Sequence, residues 1–302
     1  MKNILITGGS GLVGRVLTKQ LEAKGYTVAW LGRSPEKQRQ KTYFWDPMQG
    51  ELDVAALRWA DGLIHLAGAG VADSRWTAAR KRLILESRTK STALLVEKMR
   101  DLPERPTVFI GASAIGYYGM DTGDRLLTET DSPGQDFLAE VVIAWEQASL
   151  EMRALGLRCA LLRIGIVLEK NGGALKAMLQ PPVAAPLGSG QQWMSWIHVE
   201  DLAALFVYAL EQNLEGIYNA VAPTASTNAE LTQLAAKAKG KPYIGIGVPG
   251  FALRLVLGEM AQMVVGGNKV SAEKTLATGF QFQHADLQKA LVDLFKGGGS
   301  AH

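Results

Sequence analysis

The sequence has a single cysteine, Cys159, so no internal disulfide can form. It stands in the apolar run Cys159-Ala160-Leu161-Leu162, which favours a core position over a reactive one. With one cysteine and only 4 histidines there is no zinc-ligand spacing, and no metal is expected. Basic residues form no dense run, and the net charge of +3 is too small to call for a nucleic acid or other polyanion as partner. No apolar stretch reaches the roughly 18 residues of a membrane span. The nearest, Phe251 to Val265, is interrupted by Arg254 and Glu259. The amino terminus lacks a secretory signal pattern, because its first apolar run is short and passes straight into a glycine motif. These absences predict a cytoplasmic protein with a small-molecule substrate, and they are compatible with a homo-oligomer.

What is present is concentrated first in Met1 to Leu31. Ile4-Leu5-Ile6 reads as a buried strand. Leu12 to Lys24 reads as a helix, with Leu12, Val16, Leu17 and Leu21 at helical spacing, and Thr27 to Leu31 as a second strand. Between strand and helix lies Thr7-Gly8-Gly9-Ser10-Gly11-Leu12-Val13-Gly14. Gly8 permits a tight turn, Gly11 lets the backbone approach a pyrophosphate, and Gly14 lets the helix pack on the sheet. The N–H groups of the helix start, at Leu12, Val13 and Gly14, then face the phosphates along the helix dipole. The spacing is G-x-x-G-x-x-G rather than G-x-G-x-x-G. A glycine-rich turn of any α/β protein is the plainer explanation; the strand before, helix within and strand behind favour a dinucleotide.

The second strand ends at Gly32-Arg33-Ser34, with no carboxylate beside the arginine. An acidic residue there suits a ribose 2′-hydroxyl, an arginine a 2′-phosphate, so NADP(H) is expected over NAD. Leu63 to Gly68 reads as a strand whose carboxyl end borders the glycine turn, where Ala67 and Gly68 leave room for ribose and pyrophosphate. His65 within it is expected to be a hydrogen-bonded core histidine. A helix is expected over Thr77 to Arg100, with Leu83, Ile84, Ser87, Ser91, Leu94, Leu95 and Met99 inward. Arg88 falls among those positions, and pattern alone leaves it either a snorkelling side chain or a phosphate partner.

Further strands are expected at Val108 to Ile110 and Cys159 to Ile164, separated by a loop over Gly111 to Gly119 and a helix over Val142 to Leu155 with Trp145 inward. Alternating strands and helices predict an α/β fold, a Rossmann-type doubly wound parallel sheet with a smaller carboxyl-terminal substrate lobe. Residues 1–170 are expected to form the nucleotide domain, with later segments returning to it, and 171–296 the smaller lobe. Residues 297–302 have the composition of a linker or tag remnant.

Several segments together resemble the extended short-chain dehydrogenase/reductase superfamily: TGGSGLVG at Thr7 to Gly14, HLAG at His65 to Gly68, ASAIGYYG at Ala112 to Gly119, LLRIGIVL at Leu161 to Leu168 and SWIHVEDLA at Ser195 to Ala203. More narrowly, the chain looks like the atypical group of epimerase family proteins with a carboxyl-terminal domain of unknown function, which Asn219, Asn228 and KTLATGF at Lys274 to Phe280 resemble. The resemblance implies NADP contacts at Gly32, Arg33, Leu66, Ala67, Arg88 and Val167. It implies redox or epimerase-type chemistry on a small polar metabolite at the junction of the lobes. The superfamily uses a Tyr-x-x-x-Lys pair to exchange a proton with the substrate oxygen. The corresponding stretch here, Phe137 to Glu146, has neither residue, as is known of the atypical group. Ser113 stands where the superfamily has its hydroxyl contributor. Tyr117 and Tyr118 follow it, either as proton donors or as packing aromatics. Any activity is expected to run as reduction, with the proton supplied from this trio. His198 and Asp201 are read as structural, and Gly188, Ser189, Gly190 and Gln192 as a substrate loop. A non-catalytic NADP(H) sensor is the alternative.

Overall fold

The computed structural model describes residues 1–296; the expected linker or tag remnant at 297–302 lies outside them. Eight strands form the main sheet: β1 (Asn3–Thr7), β2 (Thr27–Gly32), β3 (Thr42–Asp46), β4 (Glu51–Leu52), β5 (Gly62–His65), β6 (Val108–Ala114), β7 (Arg158–Ile164) and β8 (Gly216–Ala220). Their order is β8-β7-β6-β5-β1-β2-β3-β4. The pairs β1–β2, β1–β5, β2–β3 and β5–β6 are parallel, while the two-residue β4 runs antiparallel to β3 at the edge. Ile4, Leu5 and Ile6 are fully buried, as the central strand of a parallel sheet with both faces covered must be. The chain winds outward from β1 through α1 (Leu12–Ala23) to β2 and β3, then starts again on the other side of β1 with β5. The strand order therefore reverses between β1 and β5, and such folds bind ligands beyond the carboxyl ends of the strands at that point.

Two further helices matter to the site, α2 (Ala78–Arg100) and α3 (Phe137–Leu150). Thr77 caps α2, its hydroxyl accepting from the Arg80 N–H. The expected inward residues of α2 are buried or half-buried except Leu83, which is exposed; a helix of 3.6 residues per turn carries it past the edge of the apolar stripe. Helix α3 begins five residues before the expected Val142, because the Asp136 carboxylate accepts from the N–H groups of Leu138 and Ala139. Cys159 is fully buried in the core formed by Leu5, Leu63, Leu95, Phe109 and Leu161.

The chain packs as two compact units and passes between them more than once. One consists of Met1–Ala114, Glu140–Arg163 and Ala203–Tyr218; the other of Ile115–Ala139, Ile164–Leu202 and the chain from Asn219. The second unit has its own core, in which helices Asn228–Lys239 and Leu287–Lys296 enclose Leu168, Trp196, Leu231 and Leu291. Phe251 to Val265 forms two short helices, Gly250–Leu257 and Ala261–Val265, joined by a 3-10 turn. Among the described residues no helix is long and apolar enough to cross a membrane.

Candidate functional site

The glycine turn has the geometry that its spacing suggests. Gly8 has φ +70, and a Cβ on it would press against the Leu66–Ala67 backbone at 3.1 Å. Gly11 precedes α1 in extended conformation, and no side chain caps the first turn of the helix. A Cβ on Gly11 would meet only the Gly8 carbonyl, so the space in front of the helix start is open. The first-turn N–H groups of a helix have no partner within it, and no side chain supplies one here. Gly14 packs on the turn itself rather than on the strands, since a Cβ there would strike Gly8 and Gly9. Gly9 is also required: its Cα lies under the Trp30 indole, whose Nε1 donates to Thr18 Oγ1 at 2.9 Å.

Behind the turn, one hydroxyl ties β1 to β5. Thr7 Oγ1 accepts from the N–H groups of Leu66 and Ala67, both at 3.1 Å, and lies 2.7 Å from His65 Nδ1. With both lone pairs occupied, it donates its proton to Nδ1. The ring proton of neutral His65 is thereby assigned to Nε2, which faces Thr92 Oγ1 at 3.1 Å and Ser91 Oγ at 3.3 Å. Desolvation in this fully buried position, then the nearby Arg88 charge, push the imidazole down to about 3. His65 is structural, as expected.

Two arginines differ in setting but share a need. Arg33, at the carboxyl end of β2, is exposed and has no ion-pair partner among the described residues. Arg88 is largely enclosed: Nη1 donates to the carbonyls of Ala69 at 2.9 Å and Ile84 at 3.0 Å, and the guanidinium lies 5.1 Å from the Trp145 ring. Gly68 sits against it. Burial, then the Arg80 charge, lower Arg88 to about 10, so it stays protonated near neutrality without a carboxylate partner. Neither guanidinium has a carboxylate partner among the described residues.

The three hydroxyl candidates separate. Tyr118 is buried and donates to Asn219 Oδ1 at 2.7 Å, in a core with Leu127, Val221 and Val270. Its proton is thus engaged, and it is a packing tyrosine rather than a donor to substrate. Tyr117 is half-buried and meets Tyr118 edge to face at 5.4 Å. Ser113 lies within β6 rather than in the expected loop, and its hydroxyl donates to Glu146 Oε1 at 2.6 Å. The same carboxylate takes Arg163 Nε at 2.8 Å and Nη2 at 2.9 Å, a bidentate ion pair whose side chains are 6% and 2% exposed. The readable signal was Glu146 beside Trp145 in a largely apolar helix and Arg163 near the end of an apolar strand. Neither is tolerated in a core without the other.

Much of the expected substrate loop is tied into its surroundings. Gly190 has φ +73 and sits against Pro186 and Ala229. Gln192 is buried, and its Nε2 donates to the carbonyls of Leu187 at 2.9 Å and Val264 at 2.8 Å. Gly188 has φ +59, and only Ser189 is exposed, its hydroxyl accepting from the Gln191 N–H. Val167 pairs with Ile197 in a short parallel ladder of the second unit.

Asp201 is a clamp rather than a partner of His198. Its oxygens accept from the N–H groups of Gln283 and His284, each at 2.9 Å. The His198 and His284 rings stack at 3.8 Å, and ligand atoms of these two and Asp293 lie within 4.8 Å of one another. His198 Nδ1 accepts from the Glu200 N–H, which leaves the ring proton on Nε2, the nitrogen a cation would need. Desolvation, then the neighbouring His284, lower His198 to about 4. Stacked rings describe this cluster better than a ligand set.

Comparisons with known proteins identify the family of the chain. The model of the NAD dependent epimerase/dehydratase family matches residues 4–220, and a domain of unknown function, DUF1731, matches 248–294. The chain is 35% identical to the mouse epimerase family protein SDR39U1, over 96% of this chain and 99% of the relative. It is 36% identical to the Mycobacterium bovis epimerase family protein Mb2239, over 95% and 96%. The crystal structure of human SDR39U1 with NADPH superposes with a TM-score of 0.85 at 31% identity, covering 97% of this chain and 99% of that one. A nucleoside-diphosphate sugar epimerase from Corynebacterium glutamicum gives 0.78 at 31% identity, covering 98% of this chain and 58% of that longer chain. Matched over most of its length by one family model and by relatives more than 30% identical, the chain belongs to the NAD dependent epimerase/dehydratase family, among the epimerase family proteins that carry a DUF1731 domain.

Proposed function

We propose that the chain is an NADP(H)-dependent oxidoreductase or epimerase-like enzyme acting on a small polar metabolite. The observation that carries the cofactor reading is the pairing of an open, uncapped helix start with two guanidiniums, Arg33 and Arg88, that lack carboxylate partners. Gly8, Gly11, Leu12, Val13 and Gly14 would hold the pyrophosphate, and Gly32 and Arg33 the 2′-phosphate. Leu66, Ala67, Gly68 and Arg88 would line the ribose side, with Val167 assigned by family resemblance. The NADPH held by human SDR39U1 supports the choice of phosphate form. When bound, such a cofactor supplies hydride exchange; the chain binds and orients it and manages the proton at the substrate oxygen. Of the expected donors, Tyr117 is the half-buried one, and it packs edge to face on Tyr118. In calorimetry NADPH should bind more tightly than NADH. Arg33→Ala should erase much of that gap, since a charge-assisted contact contributes about 1.5–3 kcal/mol. Equal affinities in the unmutated protein would refute the preference.

A second reading, an NADP(H)-binding protein without turnover, is favoured by the engagement of both Ser113 and Tyr118. A screen of carbonyl compounds and nucleotide sugars, read as NADPH oxidation, separates the two. Tight NADPH binding with no turnover selects the second.

A further inference from the structure

We infer that Glu146 and Arg163 are positioning residues that fix Ser113 as a hydrogen-bond acceptor toward its ligand, so that the group taken there is a hydroxyl rather than a carbonyl. The inference rests on the cofactor-dependent reading above and adds the residues that orient Ser113 in a chain without the tyrosine and lysine. A serine hydroxyl has one proton and two lone pairs. The proton of Ser113 lies on a 2.6 Å bond to Glu146 Oε1, in the range of a short, charge-assisted O–H···O⁻ contact. Arg163 grips both oxygens of that carboxylate, which leaves Glu146 no freedom to turn away. The three side chains are almost wholly buried, so water does not compete for the proton. What Ser113 can still offer is its lone pairs. A carbonyl oxygen would place acceptor against acceptor; an alcohol hydroxyl completes the chain of donors from ligand to Ser113 to Glu146. This reverses the expectation of a loop hydroxyl that gives its proton to a carbonyl.

The test uses the full chain with a thiol reporter. Cys159 is its only natural cysteine, is buried, and is pushed by that burial to about 11. The Ser113→Cys variant is treated with iodoacetamide across a pH series, after NADPH binding has been measured by calorimetry. A carboxylate behind the thiol should hold its proton, so alkylation should have a midpoint a unit or more above the ordinary thiol value of about 8.5. Adding Glu146→Gln should lower that midpoint and speed alkylation at pH 8 about tenfold, in line with one pKa unit. A midpoint at or below the ordinary value overturns the inference, as does indifference to Glu146→Gln or a thiol no more reactive than Cys159. Should the double variant not fold, the midpoint of Ser113→Cys alone decides. Loss of NADPH binding in the unmutated protein would instead count against the cofactor reading and leaves the thiol result to be read by itself.

Discussion

Two loops in this chain are rich in glycine and amide groups, and they do opposite things. In the turn from Thr7 to Gly14 no side chain caps the start of the helix, and a Cβ on Gly11 would meet only the Gly8 carbonyl. In the loop from Pro186 to Gln192 most of the backbone groups and the Gln192 amide are engaged by the fold, while Ser189 and Gln191 stay exposed. Gly190 O accepts from Ala229 N, Gln192 O from Asn228 N, and Leu187 N donates to Asn228 Oδ1. Glycine content does not separate the two. The fate of the donors does: a loop binds a ligand with the hydrogen bonds its own fold leaves over.

That contrast can be broken most forcefully at one residue. Gly11→Val should put a side chain where the pyrophosphate belongs and abolish binding of NADPH in calorimetry, while circular dichroism still reports a folded sheet. Normal binding by a folded variant would show that the turn is not the cofactor site. In the other loop the mirror experiment, Gly190→Val, should cost stability and spare the cofactor. It combines a left-handed φ with contact against Pro186 and Ala229, so about 3 kcal/mol is expected from strain and overpacking together. A thermal melt unchanged from the parent would contradict this.

Acid sharpens the comparison next, because the first loop is anchored through His65. Its value of about 3 in the folded chain lies below the ordinary 6.5. The unfolded chain therefore binds the proton first. The associated stability is complete above about pH 6.5 and falls by about 1.4 kcal/mol per unit as pH drops toward the folded value. Urea melts between pH 7 and 4 should show that slope, and His65→Gln should flatten it. The smallest effect belongs to Gln192→Ala, which leaves the carbonyls of Leu187 and Val264 without their donor and should cost about 1–3 kcal/mol with NADPH affinity intact. A loss of substrate turnover out of proportion to that destabilisation would restore Gln192 to the binding surface.

The parts of the site that were legible in the sequence are the local ones. The order strand, glycine turn, helix, strand needs only neighbours in sequence, and so does the Thr227 cap on Asn228–Lys239. The lone arginine after β2 is likewise visible by position. The illegible parts depend on partners far along the chain. Tyr118 is a packing residue because of Asn219, and Ser113 is an acceptor because of Glu146 and Arg163. Spacing cannot show which of two hydroxyls in one short motif has its proton taken elsewhere. Residues such as Gln192 mislead for a related reason: an amide side chain has the same chemistry whether it greets a ligand or braces a carbonyl.

The Thr7 hydroxyl has a consequence for how this protein can change. It accepts twice and donates once, to three different groups, and His65 must present a bare nitrogen to receive that donation. Serine could substitute at position 7 with its functions intact. Valine has the shape but none of the hydrogen bonds, and asparagine has the polarity but not the size. Position 65 is bound by the same condition, since a side chain there must accept from one strand and donate toward Ser91 or Thr92 on α2. The two positions are therefore coupled: a change at either that removes these hydrogen bonds calls for a compensating change at the other.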